Sequence, residues 1–389
     1  MEVIVLAGGL GTRLRSVVKE IPKCLAPVGG RPFLGYLLDW LVSQEVNHVV
    51  FSVGYLREQV VDYVQSNRWP FSYDFAVEEA PLGTGGGIRL ALEKCHENQV
   101  FVVNGDTFFP VELKDMSFQY AVTLALKPMK DFDRYGAVEL NGNAVTAFHE
   151  KQYCAEGLIN GGVYAIDRSR LELSRLPEKF SFEKEVLEPG AAIGEIGGWV
   201  SDAYFIDIGI PEDYQKAQWA IPAWFAVQEA SEAVMKADAT TLFLDRDGVL
   251  NKHILGDYVR TPRMWEWMPG ILQALALWSG KFKHIVLVTN QRGVGKGVMT
   301  DAELAKVHAY MMQGVLEAGG RIDLILACTS VSEDDPRRKP NPGMFYEACS
   351  LFPDIDAKSS VMLGDAPSDA AFANNCGIPF ILLNPEAAS

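Results

Sequence analysis

Two apolar, β-rich stretches each run into a loop of small or acidic residues: EVIVLAGG at 2–9 and TLFLDRDG at 241–248. Tips of this kind start open α/β sheets, whose ligands collect beyond the C-terminal ends of the strands. They lie in opposite halves of a 389-residue chain, and one compact core usually covers about 100–200 residues. Two domains are therefore expected, 1–225 and 239–389, joined by a helical linker at 226–238, with Pro222 breaking the helix around it.

The periodicity supports two α/β sheets. RPFLGYLLDWLVSQEV (31–46) and LREQVVDYVQSN (56–67) read as helices around the strand HVVFSVGY (48–55), and VFVVNGD (100–106) is a buried strand ending in an acid. AVTLALKP (121–128) and YGAVELNGNAVTAFHEK (135–151) read as strands, the latter turning at Asn-Gly-Asn, that decorate the parallel core. In the second half HIVLVTN (284–290), RIDLILAC (321–328) and SVMLGD (360–365) are strands separated by helical segments.

Thirty-five Lys and Arg stand against 50 Asp and Glu, a net charge of −15. An acidic surface repels a phosphate backbone, so nucleic acid is not an expected partner. Six scattered cysteines without a C-x-x-C pair suit a reducing compartment. No leader-like or membrane-spanning run is read, so the expectation is a cytoplasmic protein without a membrane partner. Oligomeric state is open, a homo-oligomer included.

The run Leu6-Ala7-Gly8-Gly9-Leu10-Gly11-Thr12-Arg13 lets backbone N–H groups approach a triphosphate, although a Gly-rich turn alone equally fits a tight connection. It fails as a dinucleotide fingerprint, because Leu14 stands where the third glycine belongs. Arg13 and Lys23 carry the charge to neutralise a leaving pyrophosphate. With Pro22-Lys23, Pro27-Val28 and Gly30-Arg31-Pro32 the stretch resembles the signature of the sugar-1-phosphate nucleotidyltransferases, with Ser16-Val17-Val18 as one departure. That resemblance, covering residues 1 to about 220, implies a Rossmann-like mixed sheet. It implies a nucleotide site at Leu6, Ala7, Gly8, Gly9, Gly11, Thr12, Glu79, Pro81, Gly83 and Thr84, and sugar-phosphate contacts at Asn104, Glu150, Lys151, Asn160 and Gly161. Asp106 and Asp207 are the implied Mg²⁺ ligands, which suits a cation that prefers carboxylates and substrate phosphates.

Asp245-Arg246-Asp247 places two carboxylates at i and i+2, one to attack phosphorus and one to move a proton. Thr289-Asn290, Arg338-Lys339-Pro340 and Gly364-Asp365, with Asp369 four residues on, complete a set that resembles the haloacid dehalogenase superfamily of phosphatases over about 239–389. That resemblance implies a capless doubly wound parallel sheet. It makes Asp245 the nucleophile, Asp247 the acid/base, Thr289 and Lys339 phosphate holders with Asn290 and Arg338 beside them, and Asp245, Asp247 and Asp365 the Mg²⁺ site. Gly293–Gly297 fails as a P-loop. Cys328 offers one thiol and the following loop no histidine, so no zinc is expected there, and His149 and His253 lack partners at ligand spacing.

The wording of these motifs is closest to the heptose-bisphosphate and histidinol-phosphate phosphatase branch. Together the halves resemble the bisphosphatase and guanylyltransferase steps of GDP-D-glycero-D-manno-heptose synthesis. They imply GTP and heptose phosphates as substrates and Mg²⁺ in both domains. A hexose or aminosugar 1-phosphate with UTP or CTP is the alternative. A non-catalytic scaffold would be expected to have lost Asp106, Asp207, Asp245 or Asp365, and all four are present.

Overall fold

The computed structural model describes residues 1–9, 14 and 20–384. The chain divides into two compact units, Met1–Gln218 and Trp219–Ser389.

The first unit is built on a nine-stranded mixed sheet. Named by first residue, its strands run in the order Ser72, His48, Glu2, Gln99, Cys154, Val122, Ile196, Ala144, Ala137. The strands beginning at Ser72, His48, Glu2 and Gln99 are parallel, as the alternation of strand and helix signals requires. The chain crosses from Glu2–Leu6 to one neighbour, His48–Val53, and later to the other, Gln99–Asn104. A crevice therefore opens where the crossovers diverge, and both glycine and acid tips end there.

The Asn-Gly-Asn turn does join two antiparallel strands, Ala137–Asn141 and Ala144–Phe148, with Gly142 at φ +60°. They extend the main sheet to its edge. The 14-residue strand Cys154–Asp167 was not legible as a strand. It carries Gly161 and Gly162, and its register against Val122–Phe132 shifts between Asn160 and Tyr164, so alternation fails across the bulge.

The second unit holds five parallel strands in the order Leu324, His284, Thr241, Ser360, Phe380. Thr241–Leu244 is central, with the crossovers diverging between it and Ser360–Gly364. Asp245 and Asp365 follow those two strands directly. Among the described residues no helix is long and apolar enough to cross a membrane.

The division of the chain differs from the expected one. Pro222 does not break the helix: Pro211–Lys236 runs through it. A proline removes its own N–H and crowds the carbonyl four residues back, but buried Ala217, Ala220, Ile221, Ala223 and Val227 on both sides keep the helix intact. Residues 226–238 are not a free linker either, because Ala226, Val227, Ala230 and Val234 pack in the core of the second unit with Leu242, Leu275 and Trp278. Val227→Ala is therefore expected to destabilise the second unit by about 2 kcal/mol, two buried carbons plus the void they leave. Denaturant unfolding monitored by loss of phosphate release checks this, and an unchanged midpoint would return the segment to a linker.

Candidate active sites

In the first unit Asp106 and Asp207 are brought together by a two-residue ladder. Thr107–Phe108 pairs with Ile206–Asp207, and the Ile208 N–H donates to the Asp106 carbonyl at 3.0 Å. Lys23 Nζ stands between the two carboxylates, 2.5 Å from Asp106 Oδ2 and 3.4 Å from Asp207 Oδ1. The Gly209 N–H donates to Asp207 Oδ1 at 2.7 Å. Burial, and then the negative charge of Asp106, push the Asp207 carboxyl up against the pull of Lys23. Two carboxylates in half-buried surroundings want a cation, and Lys23 supplies part of that charge.

Two cavities flank this pair. One, about 430 Å³, is lined by Leu6, Ala7, Gly8, Gly9, Lys23, Glu78, Pro81, Gly83, Thr84 and Asp106, among others. The second, about 340 Å³, has Arg134, Tyr135, Lys151, Asn160, Gly161, Gly162 and Asp207 in its wall. Leu6, Thr84 and Asn104 line both. The expected nucleotide residues thus gather on one side and the expected sugar-phosphate residues on the other. Gly11, Thr12 and Arg13 lie outside the described residues.

Two expected residues are not in these walls. Glu79 is exposed and pairs with Arg57 at 3.2 Å. Its neighbour Glu78 lines the first cavity instead, accepting from Ser52 Oγ at 3.1 Å and the Leu82 N–H at 3.0 Å. The strand Ser72–Val77 ends one residue earlier, which turns Glu78 inward and Glu79 out. Glu150 is exposed, while Lys151 reaches the second cavity. Missed in the sequence were Arg134, Tyr135 and Asp213; Arg134 pairs with Asp213 at 2.8 Å. Asp213 lies far along the chain from the adjacent Arg134 and Tyr135, and no local pattern links them.

Close packing explains some of the glycines. A Cβ on Gly105 would stand 2.6 Å from the Leu6 carbonyl oxygen. Gly162, at φ +74°, would put a Cβ 2.4 Å from Asn104 Nδ2. Gly162→Ala is expected to cost about 1–2 kcal/mol of backbone strain and to lower kcat/KM for nucleotidyl transfer about 10-fold or more by displacing Asn104. Phosphate release should be unchanged, and a variant with wild-type kcat/KM would remove Asn104 from the site.

In the second unit the gathering residues are Asp245, Asp365 and Asp369. Each offers one carboxylate oxygen, and the three atoms lie within 4.8 Å of one another. Lys339, almost fully buried, pairs with Asp245 Oδ1 at 2.8 Å and Asp369 Oδ1 at 2.6 Å. Burial pushes the Asp245 carboxyl up to about 6, with Asp369 and Asp247 adding to it and Lys339 opposing. Burial, then Asp245 and Asp369, push Asp365 up to about 7. Burial alone would lower the Lys339 ammonium, but the charges of Asp245 and Asp369 outweigh it and hold it above its ordinary value. Three carboxylates against one ammonium leave the cluster short of positive charge.

Asp247, expected among the metal ligands, is not one of these three. Its oxygens accept from Arg246 Nη2 at 2.9 and 3.1 Å, Asn251 Nδ2 at 2.9 Å and Gln291 Nε2 at 2.9 Å. Burial would raise its carboxyl, but the Arg246 charge and these bonds hold it below the ordinary carboxylate range. Arg246 itself is fully buried, with His308 Nε2 at 3.2 Å from Nη1. Burial and then Arg246 lower the His308 imidazole to about 4, so it stays neutral beside the guanidinium.

Thr289 Oγ1 accepts from Gln291 Nε2 at 2.8 Å. Asn290 staples the backbone of Lys339, donating from Nδ2 to its carbonyl at 2.9 Å and accepting its N–H at 3.0 Å. Arg338 donates to the Ser330 carbonyl at 3.4 Å. Asp369, the third residue of the helix Pro367–Cys376, also accepts the Ala366 N–H at 3.1 Å. In the sequence it stands four residues after the strand-tip acid within the same motif, where it is given no metal role.

Both halves of the chain resemble known proteins. The Nucleotidyl transferase family profile matches residues 2–223, and the Polynucleotide kinase 3 phosphatase profile matches 241–387. The chain is 48% identical over 223 residues, 56% of its length, to the D-glycero-alpha-D-manno-heptose 1-phosphate guanylyltransferase of Aneurinibacillus thermoaerophilus, covering 97% of that protein. It is 38% identical over 135 residues, 34% of its length, to the D-glycero-alpha-D-manno-heptose-1,7-bisphosphate 7-phosphatase of Mycobacterium tuberculosis, covering 71% of it. The crystal structure of HddC from Yersinia pseudotuberculosis complexed with GMP-PN superposes with a TM-score of 0.51 at 36% identity, over 56% of this chain and 97% of that one. With crevice, paired acids and profile coinciding in each half, the chain belongs to the nucleotidyl transferase family over residues 2–223 and, in its second half, to the haloacid dehalogenase-type phosphatases.

Proposed function

We propose that this chain is a bifunctional enzyme of heptose activation. Its second unit removes the C7 phosphate of D-glycero-D-manno-heptose 1,7-bisphosphate. Its first transfers GMP from GTP to the resulting heptose 1-phosphate, giving GDP-heptose and pyrophosphate. The observation that carries this reading is the pairing in one chain: relatives of the two halves are named for consecutive steps on one sugar, and the product of one is the substrate of the other. GTP and phosphosugars as substrates suit a cytoplasmic location.

In the first unit GTP occupies the Gly8–Gly9 cavity and heptose 1-phosphate the Lys151–Asn160 cavity, with the α-phosphate between them at Asp106 and Asp207. A sugar-phosphate oxygen attacks the α-phosphorus, and the bond to the departing pyrophosphate breaks in line. Lys151 holds the attacking phosphate, and Arg13 and Lys23 hold the leaving one. Positioning and charge carry such a step, and no protein nucleophile is needed. Lys23 must loosen its grip on Asp106 and Asp207 to turn to pyrophosphate. In the second unit Asp245 attacks the C7 phosphate and the bond to the sugar oxygen breaks; Asp247, ionised in the free chain, takes up the proton of a monoanionic phosphate as substrate binds and passes it to that oxygen, then takes a proton from the water that hydrolyses the aspartyl phosphate. Thr289 and Lys339 hold the phosphate.

Each site suits Mg²⁺ by its oxygen donors and deficit of positive charge: Asp106 with Asp207, and Asp245 with Asp365 and Asp369. When bound, the ion supplies charge neutralisation that lets anions approach. Incubating purified protein with heptose 1,7-bisphosphate, Mg²⁺ and each nucleoside triphosphate, followed by phosphorus NMR, tests the reading. GDP-heptose should form in one vessel. Absence of any nucleotide-heptose with GTP, and turnover of a hexose 1-phosphate instead, would overturn the sugar assignment.

A further inference from the structure

At the opposite end of the first unit's sheet from its cavities lies a cluster with no part in the proposed reaction. Glu2 and His48 are register partners at the first positions of adjacent parallel strands, and His96 follows the helix Gly83–Leu92 just before strand Gln99–Asn104. The five residues of Glu2–Leu6 span about 15 Å, so the cluster is well separated from the glycine loop. One ligand atom from each of Glu2, His48 and His96 falls within 4.8 Å of the other two.

Three further features fit a metal. The His48 and His96 rings stack, with centroids 5.3 Å apart and planes at 21°, so the exposed His96 turns its ring edge toward a shared ion. His48 turns Nδ1 to Glu2 Oε1 at 2.8 Å and Nε2 to Asp74 Oδ2 at 3.2 Å. A ligating histidine characteristically gives its second nitrogen to a carboxylate, which fixes tautomer and ring orientation. Glu2 is oriented in turn, its oxygens accepting the backbone N–H groups of His96 and Glu97 at 2.7–3.1 Å. Glu2 and His48 are buried and His96 is exposed, which leaves an entry path and a fourth position facing water.

We propose that Glu2, His48 and His96 bind one borderline divalent cation of the Zn²⁺ class, with Asp74 orienting His48. The donor set of two imidazoles and a carboxylate selects such an ion over Mg²⁺. The ion staples the starts of two strands to the turn before a third. To admit it, the Glu2–His48 contact opens by about half an ångström, given metal–donor bonds of about 2 Å. The competing arrangement is the His48 imidazole hydrogen-bonded between the two carboxylates, which takes up no metal. No sequence spacing marks the site, because its ligands come from three separate segments.

The test uses the untagged full chain, stripped of metal and held in excess Mg²⁺ to fill the all-oxygen sites. Zn²⁺ is titrated against a chromophoric chelator, and Co²⁺ is followed by its visible absorption. The native chain should take up one equivalent of Zn²⁺ and show the bands of nitrogen-ligated, low-coordinate Co²⁺. His96→Gln, on an exposed side chain, should weaken Zn²⁺ at least about 100-fold and lose the bands, while retaining nucleotidyl transfer as proof of folding. Zn²⁺ should raise the melting temperature of the native chain and not of the variant. A native chain that binds no Zn²⁺ in excess Mg²⁺, or a variant that binds it equally well, would overturn the site.

Discussion

Asp245→Asn should lower phosphate release from heptose 1,7-bisphosphate by about 10⁴-fold or more, while GMP transfer to heptose 1-phosphate proceeds at the native rate. The amide matches the carboxylate in shape and has no charge with which to attack phosphorus. It also removes one of the two carboxylates that hold Lys339, leaving Asp369 as that ammonium's partner at 2.6 Å. Some stability goes with it, since truncating a buried pair leaves charge uncompensated. The transfer reaction of the same preparation reports whether the first unit is folded, and the melting profile reports the second. Persistence of phosphate release would dismiss Asp245 as the nucleophile.

The matching result in the first unit is loss of transfer in Asp106→Ala, by about 10³-fold, the scale of removing one preorganised charge from a phosphoryl site. Lys23 is then left with Asp207 alone at 3.4 Å, and the proposed cation site keeps one carboxylate. Phosphate release in the second unit should be untouched. Formation of GDP-heptose from GTP and heptose 1-phosphate is the measurement, and Asp106→Asn should reproduce the loss. Intact transfer in either variant would take the metal role away from Asp106. The two substitutions together should give a chain that folds and performs neither reaction.

Three of the acids were legible because each stands at the tip of an apolar strand. Asp106, Asp245 and Asp365 follow VFVVNG, TLFL and SVMLG, and a strand tip in a parallel sheet points its next residues into the crevice. Glu79 faces away from the cavity and Glu78 into it for a related reason: the strand ends at Val77, and a shift of one residue exchanges the inward for the outward face. Asp247 lies in the same motif as Asp245, yet the buried Arg246 between them turns it toward Asn251 and Gln291 rather than into the carboxylate triad. No pattern along the chain carries that information. Pro222 failed as a helix stop because a propensity of a few kcal/mol yields to a buried face packed along the rest of the helix.

By itself, then, the sequence determined two α/β halves, the strand tips that carry the acids and the lysines that answer them, since these follow from local composition and periodicity. Only the tertiary structure decided the meetings that depend on pairing distant segments. Lys23 is set between Asp106 and Asp207, Asp369 joins Asp245 and Asp365, and Glu2 faces His48 across the ladder. Register and crossover choose such neighbours, and both are properties of the closed sheet rather than of any stretch of chain.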